Sequence, residues 1–137
     1  MGGMSWKYIA PFGADPARVL AEAHKDAFER RAYGKPYSRR EPRARSITAL
    51  RRACAEDGTC SIIDVLRVEE EPSPGVAGRM PRGLIESVCG TPRPGLAQVE
   101  DALPILYEQL HRGEAGFVVA YDGEKPVHVG FFGWSFD

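Results

Sequence analysis

The apolar positions of this chain follow helical spacing in some stretches and alternate in others, and they predict the element order β-α-α-β-α-α-β-β. The clearest signal is a pair of β-rich runs near the C-terminal end, FVVAY and VHVGFFGWSF, which flank an Asp-Gly turn as hairpin strands do. Near the N-terminal end, WKYIAPF alternates loosely and predicts a first strand. Asp15 and Pro16 then predict a helix start, because an N-cap acceptor precedes a proline at the first helical position.

The stretch between the first helix and the hairpin predicts a helix, a strand, a long loop and two more helices. The strand is indicated by β-branched residues with apolar side chains on both faces. The loop is indicated by three prolines and three glycines within twelve residues. In chain order, these five elements span residues 46–58, 59–70, 72–83, 84–89 and 96–112.

A chain of 137 residues is long enough to bury a hydrophobic core as one domain. We therefore predict a single α+β domain over residues 4–137, with residues 1–3 an expression leader outside the fold. Its sheet is expected to be mostly antiparallel, with about four strands and a C-terminal β-hairpin, and its helices to pack mainly on one face. The other face would then be covered by the 72–83 loop, by a ligand or by another subunit.

The composition is typical of a globular protein in water, with 43% hydrophobic and 27% charged residues. No apolar run approaches the ~20 residues that a membrane span needs, and the N-terminal end lacks the pattern of a signal peptide. Three cysteines cannot all pair within one chain, which favours a reducing compartment. We expect a cytoplasmic protein that does not bind membranes.

Charge is distributed unevenly along the chain, although the formal net charge is only −1. Residues 1–52 hold 12 Lys and Arg against 5 Asp and Glu, whereas residues 53–137 hold 6 against 14. This asymmetry is expected either of two oppositely charged binding surfaces or of two halves that pack against each other. The second interpretation needs no partner and is the simpler one.

Established catalytic and metal-binding motifs are missing from the sequence. It has no phosphate-binding loop, dinucleotide fingerprint, nucleophile elbow or zinc-ligand spacing, so we predict no metal and no cofactor. Three isolated residues remain as catalytic candidates: His128 beside the aromatic residues of the last strand, Asp64 within an apolar strand, and His24 at the edge of a helical apolar stripe. The alternative is structural, with a backbone partner for His24 and an ion pair for Asp64.

The most basic stretch is residues 33–46, YGKPYSRREPRARS, which holds four arginines and one lysine. Arginine forks bind carboxylates and phosphates, and tyrosine rings stack on bases. Nucleic acid is nevertheless not the expected partner, because the pI is 6.3 and no nucleic-acid-binding motif is present. The expected partner of this stretch is therefore a protein or a small anionic ligand. Alternatively, the stretch is an exposed loop without a binding role. The predicted binding residues are Tyr37, Arg39, Arg40 and Arg43, together with Phe132 and Trp134 of the last strand.

Two functions are compatible with these patterns. The first is a small binding or accessory protein, of the inhibitor or immunity type, that acts through a protein partner or by self-association. The alternative is a small enzyme or ligand-binding protein with a pocket between the sheet and the 72–83 loop, using Asp64, His128 or His24 with an arginine. The missing motifs favour the first.

Overall fold

The computed structural model of the chain describes residues 5–13, 15–30, 62 and 65–134. These residues form three helices and five strands of one α+β domain, which confirms the predicted class. The predicted helix 46–58 lies outside the described residues, as do residues 59–61, 63 and 64 of the predicted strand 59–70. Among the described residues of that segment, only Arg67–Glu69 form a strand, so the predicted strand is shorter than expected. In chain order, the elements are β1 (Ser5–Pro11), α1 (Pro16–Arg30), β2 (Arg67–Glu69), β3 (Val76–Arg79), α2 (Arg82–Cys89), α3 (Leu96–Tyr107), β4 (Ala115–Asp122) and β5 (Lys125–Trp134).

The five strands form one mixed sheet in the order β1-β5-β4-β3-β2. β5 is antiparallel to β1 and β4, whereas β3 is parallel to β4 and to β2. The prediction of about four, mostly antiparallel strands is therefore slightly off, because the described sheet has five strands and two of its four pairings are parallel. Between β3 and its parallel neighbour β4, helices α2 and α3 provide a long crossover of the kind that usually joins parallel strands.

β3 lies within the segment that the sequence predicts as a loop, residues 72–83. The chain passes from β2 to its parallel neighbour β3 through residues 70–75 alone, and it crosses β3 closely. A Cβ atom on Gly78 would lie only 2.1 Å from the backbone nitrogen of Pro72. Because Gly78 has no side chain, the segment 70–75 can pass directly over β3, and the glycines and prolines that suggest a loop belong to this close crossing.

Strand register divides the buried side chains between two faces of the sheet. The α1 face carries Trp6, Ala10 and Phe131, which pack with α1 in one hydrophobic cluster. The α3 face carries Val118 and Phe132, which pack with α2 and α3 in a second cluster. The described helices thus cover both faces, and the prediction that helices gather mainly on one face is wrong.

Two helix ends and one hairpin turn lie at residues whose local conformational preferences favour them. The Arg18 backbone N–H donates to Oδ1 of Asp15 at 2.9 Å, so Asp15 caps α1 as predicted. Gly90 ends α2 in the left-handed conformation, with φ of 80°. The β4–β5 hairpin turns at Gly123, which also has positive φ.

α3 ends at Tyr107, earlier than the predicted residue 112, and it continues through Pro104 as one helix. The backbone N–H groups of Glu108, Gln109 and Leu110 each bond to the carbonyl three residues earlier, which tightens the chain into a turn there. Within the described ranges, no helix is long and apolar enough to cross a membrane.

Candidate functional site

The predicted site residues divide into those that the structure describes and those that it does not. The described ones are His24, His128, Phe132 and Trp134. Predictions for the others therefore stand on the sequence alone. Outside the described residues lie Tyr37, Arg39, Arg40, Arg43 and Asp64.

His24 lies in α1 and is almost completely buried, with 3% of its surface exposed. Its Nε2 atom is 2.9 Å from the carbonyl oxygen of Ile62, and because a carbonyl can only accept, Nε2 carries the proton and donates it. This bond ties α1 to the segment at residue 62. His24 thus has the backbone partner expected of a structural histidine.

His128 lies on β5, between Ala120 of β4 and Pro11 of β1. It shares the α3 face with Gly130 and Phe132, as the alternation of the strand predicts. β1 ends at Pro11 and β4 ends at Asp122, so His128 stands near the carboxyl ends of both strands. Carboxyl ends of strands are where ligands bind in many open α/β sheets.

The ring of His128 is unusual because its Nδ1 atom is sealed from solvent and has no hydrogen-bond partner. The pairing between β4 and β5 is irregular just beside it, between Ala120 and Tyr121. Such bulges redirect side chains locally. In the same region, the Tyr121 backbone N–H donates to the carbonyl of Pro94, just before α3.

The two histidines do not form one site, because they lie on opposite sides of the sheet. His24 packs with the α1 cluster, whereas His128 points to the α3 face. Residues 72–83 do not form a lid either, since they contain the crossing, β3 and the start of α2. The sequence predicts a pocket between the sheet and a 72–83 loop, but residues 76–79 of that segment are themselves a strand of the sheet.

Phe132 and Trp134 join the sheet to α3. Phe132 is fully buried, and its ring meets that of Tyr107 edge-on, with centroids 5.6 Å apart. Trp134 is half-buried; its ring lies 5.5 Å from that of Tyr107, and its Nε1–H donates to the Tyr107 carbonyl oxygen at 2.9 Å. Phe132 is therefore a core residue, and Trp134 packs against the same core while remaining partly exposed.

Two tyrosines make contacts that the sequence does not reveal. The Tyr8 hydroxyl donates to Oδ2 of Asp26, which joins β1 to α1. The Tyr107 hydroxyl donates to the carbonyl oxygen of Trp6 at 2.9 Å, which joins α3 to β1. Tyr8 alternates with Trp6 and Ala10 along β1, so the strand pattern could have placed Tyr8 on the α1 face, but not identified its partner.

Nucleophilic and metal chemistry receive little support from the described residues. Burial raises the pKa of the Cys89 thiol above its ordinary value, so the sulfur stays protonated at neutral pH. Among the residues that the structure describes, no group of three or more His, Cys, Asp and Glu side chains is arranged to hold a metal ion.

The described surface pairs several of its cations with neighbouring carboxylates. These pairs are solvent-exposed, with nitrogen–oxygen distances between 3.2 and 3.6 Å. Arg79 also lies over the ring of Phe117, 4.9 Å from its centroid. The four pairs are Lys7–Glu100, Arg67–Glu69, Arg79–Glu70 and Arg93–Glu124.

Comparison of the chain with protein-family models, with curated proteins and with solved structures finds no match.

Proposed function

We propose that the protein is a small binding or accessory protein, of the inhibitor or immunity type, which binds an acidic protein through its basic stretch, residues 33–46. The observation that carries the proposal is the segregation of charge. Five cations and one acid, Glu41, fall within these fourteen residues. The positions that the structure describes hold 14 Asp and Glu against 10 Lys and Arg.

Several cations of the described surface have a carboxylate of the same chain beside them, as the pair of Arg93 with Glu124 illustrates. The basic stretch has too few acids in its own sequence to do the same. Arginine suits this role because its planar fork binds carboxylates through two parallel hydrogen bonds. An acidic protein surface supplies such carboxylates, so it is the partner that the stretch fits best.

The separation of the catalytic candidates also supports binding rather than catalysis. A general base and its partners must lie within hydrogen-bond reach of one substrate. His24 and His128 lie on opposite faces of the sheet, and the His24 Nε2–H is already bonded to a backbone carbonyl. No described contact favours the alternative of a small enzyme, and that alternative still depends on Asp64, which lies outside the described residues.

The experiment is affinity capture from the native host with three forms of the protein. The test variant replaces Arg39, Arg40 and Arg43 by Ala. The matched control replaces three exposed arginines of the described body, and these are Arg67, Arg82 and Arg93. Mass spectrometry then quantifies each captured protein, with and without nuclease treatment.

We expect wild type and control to capture the same acidic protein, and the test variant to capture about tenfold less, the equivalent of ~1.4 kcal/mol. Washing at about 0.5 M salt should release the partner, because salt screens exposed charges. Equal capture by the test variant would contradict the proposal. Capture that disappears only on nuclease treatment would instead identify nucleic acid as the partner.

A further inference from the structure

We draw no further inference here: the strongest candidate, the His128 side chain on the α3 face near the carboxyl ends of β1 and β4, carries no ligand site because its unpartnered Nδ1 atom is sealed from solvent, so that no ligand atom reaches it.

Discussion

The two faces of the sheet are both apolar, but they differ in how the indole N–H of their tryptophan is satisfied. On the α3 face, the indole N–H of Trp134 and the hydroxyl of Tyr107 each donate to a backbone carbonyl. On the α1 face, the indole Nε1 of Trp6 is buried without a hydrogen-bond partner. Burial of an indole therefore does not by itself measure its stabilisation, because an unpaired buried donor costs about 1–3 kcal/mol.

Each face also holds a strand glycine that neighbouring side chains approach closely. On the α3 face, a Cβ atom on Gly116 would lie 2.6 Å from Cε of Met80 and 2.9 Å from Cζ of Phe132. The absence of a side chain at Gly116 thus leaves space for Met80 and Phe132. On the α1 face, large side chains of the strands themselves, such as Phe117 and Phe131, fill the space below α1. A Cβ atom on Gly133, also on the α1 face, would lie 2.9 Å from Cζ2 of Trp6, so neither face has room for added volume at its glycine.

The largest effect is expected from Phe132→Ala, which removes a fully buried ring from the α3 face. The free energy of unfolding should fall by about 3–5 kcal/mol, as for other buried phenylalanines. The matched control is Phe12→Ala, since 42% of Phe12 is exposed, and it should change stability by less than about 0.5 kcal/mol. Urea unfolding followed by circular dichroism measures both.

The same pair of variants tests whether Phe132 binds a partner, as the sequence suggests. A core residue lowers the unfolding free energy when it is truncated, whereas a partner-binding residue lowers affinity and leaves the monomer unchanged. If Phe132→Ala unfolded at the same urea concentration as wild type, its placement in the core would be wrong.

A smaller loss is expected from Gly78→Ala, which tests the close crossing of residues 70–75 over β3. The new Cβ atom would overlap backbone atoms of Glu71 and Pro72, which cannot rotate away as a flexible side chain can. We expect a loss of about 2–3 kcal/mol, at the upper end for overpacking.

Gly83→Ala is the control for this substitution. Gly83 lies within α2, and nothing approaches within 4 Å of the position where its Cβ atom would be. Because alanine favours the helix over glycine, this variant should gain about 0.5–1 kcal/mol. Two variants of equal stability would mean that the chain does not cross β3 closely.

How much of this structure the sequence predicts depends on whether a signal is local. Asp15 before Pro16 and the Asp-Gly turn each determine their own conformation, and both predictions are confirmed. β3 is different, because its four residues are strand only through pairing with β2 and β4. Its glycine and the prolines around it are typical of loops, so no local sequence pattern predicts a strand there.

The candidate site shows the same limit more strongly. The alternation of β5 correctly places His128 on one face with Phe132 and Trp134. Whether His24 could reach it depends on which face α1 covers, and that is a property of the whole topology. A sequence period cannot specify it, because the period fixes faces within an element and not between elements.

The two tryptophans provide a matched test of the comparison between the faces. Trp134→Phe removes a donor that is bonded to the Tyr107 carbonyl, whereas Trp6→Phe removes a donor that has no partner. The volume lost is the same in both. We expect Trp134→Phe to lose about 1 kcal/mol more than Trp6→Phe, since a net hydrogen bond contributes about that much.

Urea unfolding of both tryptophan variants, each against wild type, measures the difference. For Trp6→Phe, the only loss of unfolding free energy expected is the one caused by the smaller ring, because no hydrogen bond is removed. Equal losses, or a larger loss for Trp6→Phe, would show that the Trp6 indole N–H is bonded in solution and that the faces do not differ as described.

The smallest effect on the free energy of unfolding is expected in the basic stretch, residues 33–46. The same substitutions test the central claim of the account, that this stretch serves a partner and not the fold. If the two apolar clusters stabilise the domain and residues 33–46 serve a partner, then replacing Arg39, Arg40 and Arg43 together by Ala should cost little. The most direct measurement is the urea-unfolding free energy of this variant at low and at physiological salt. The account predicts a loss below about 1 kcal/mol at both, as for exposed charges. A loss of about 3 kcal/mol or more at low salt, which shrinks as salt is added, would show that these arginines pair with the acids of their own chain, and it would contradict the account.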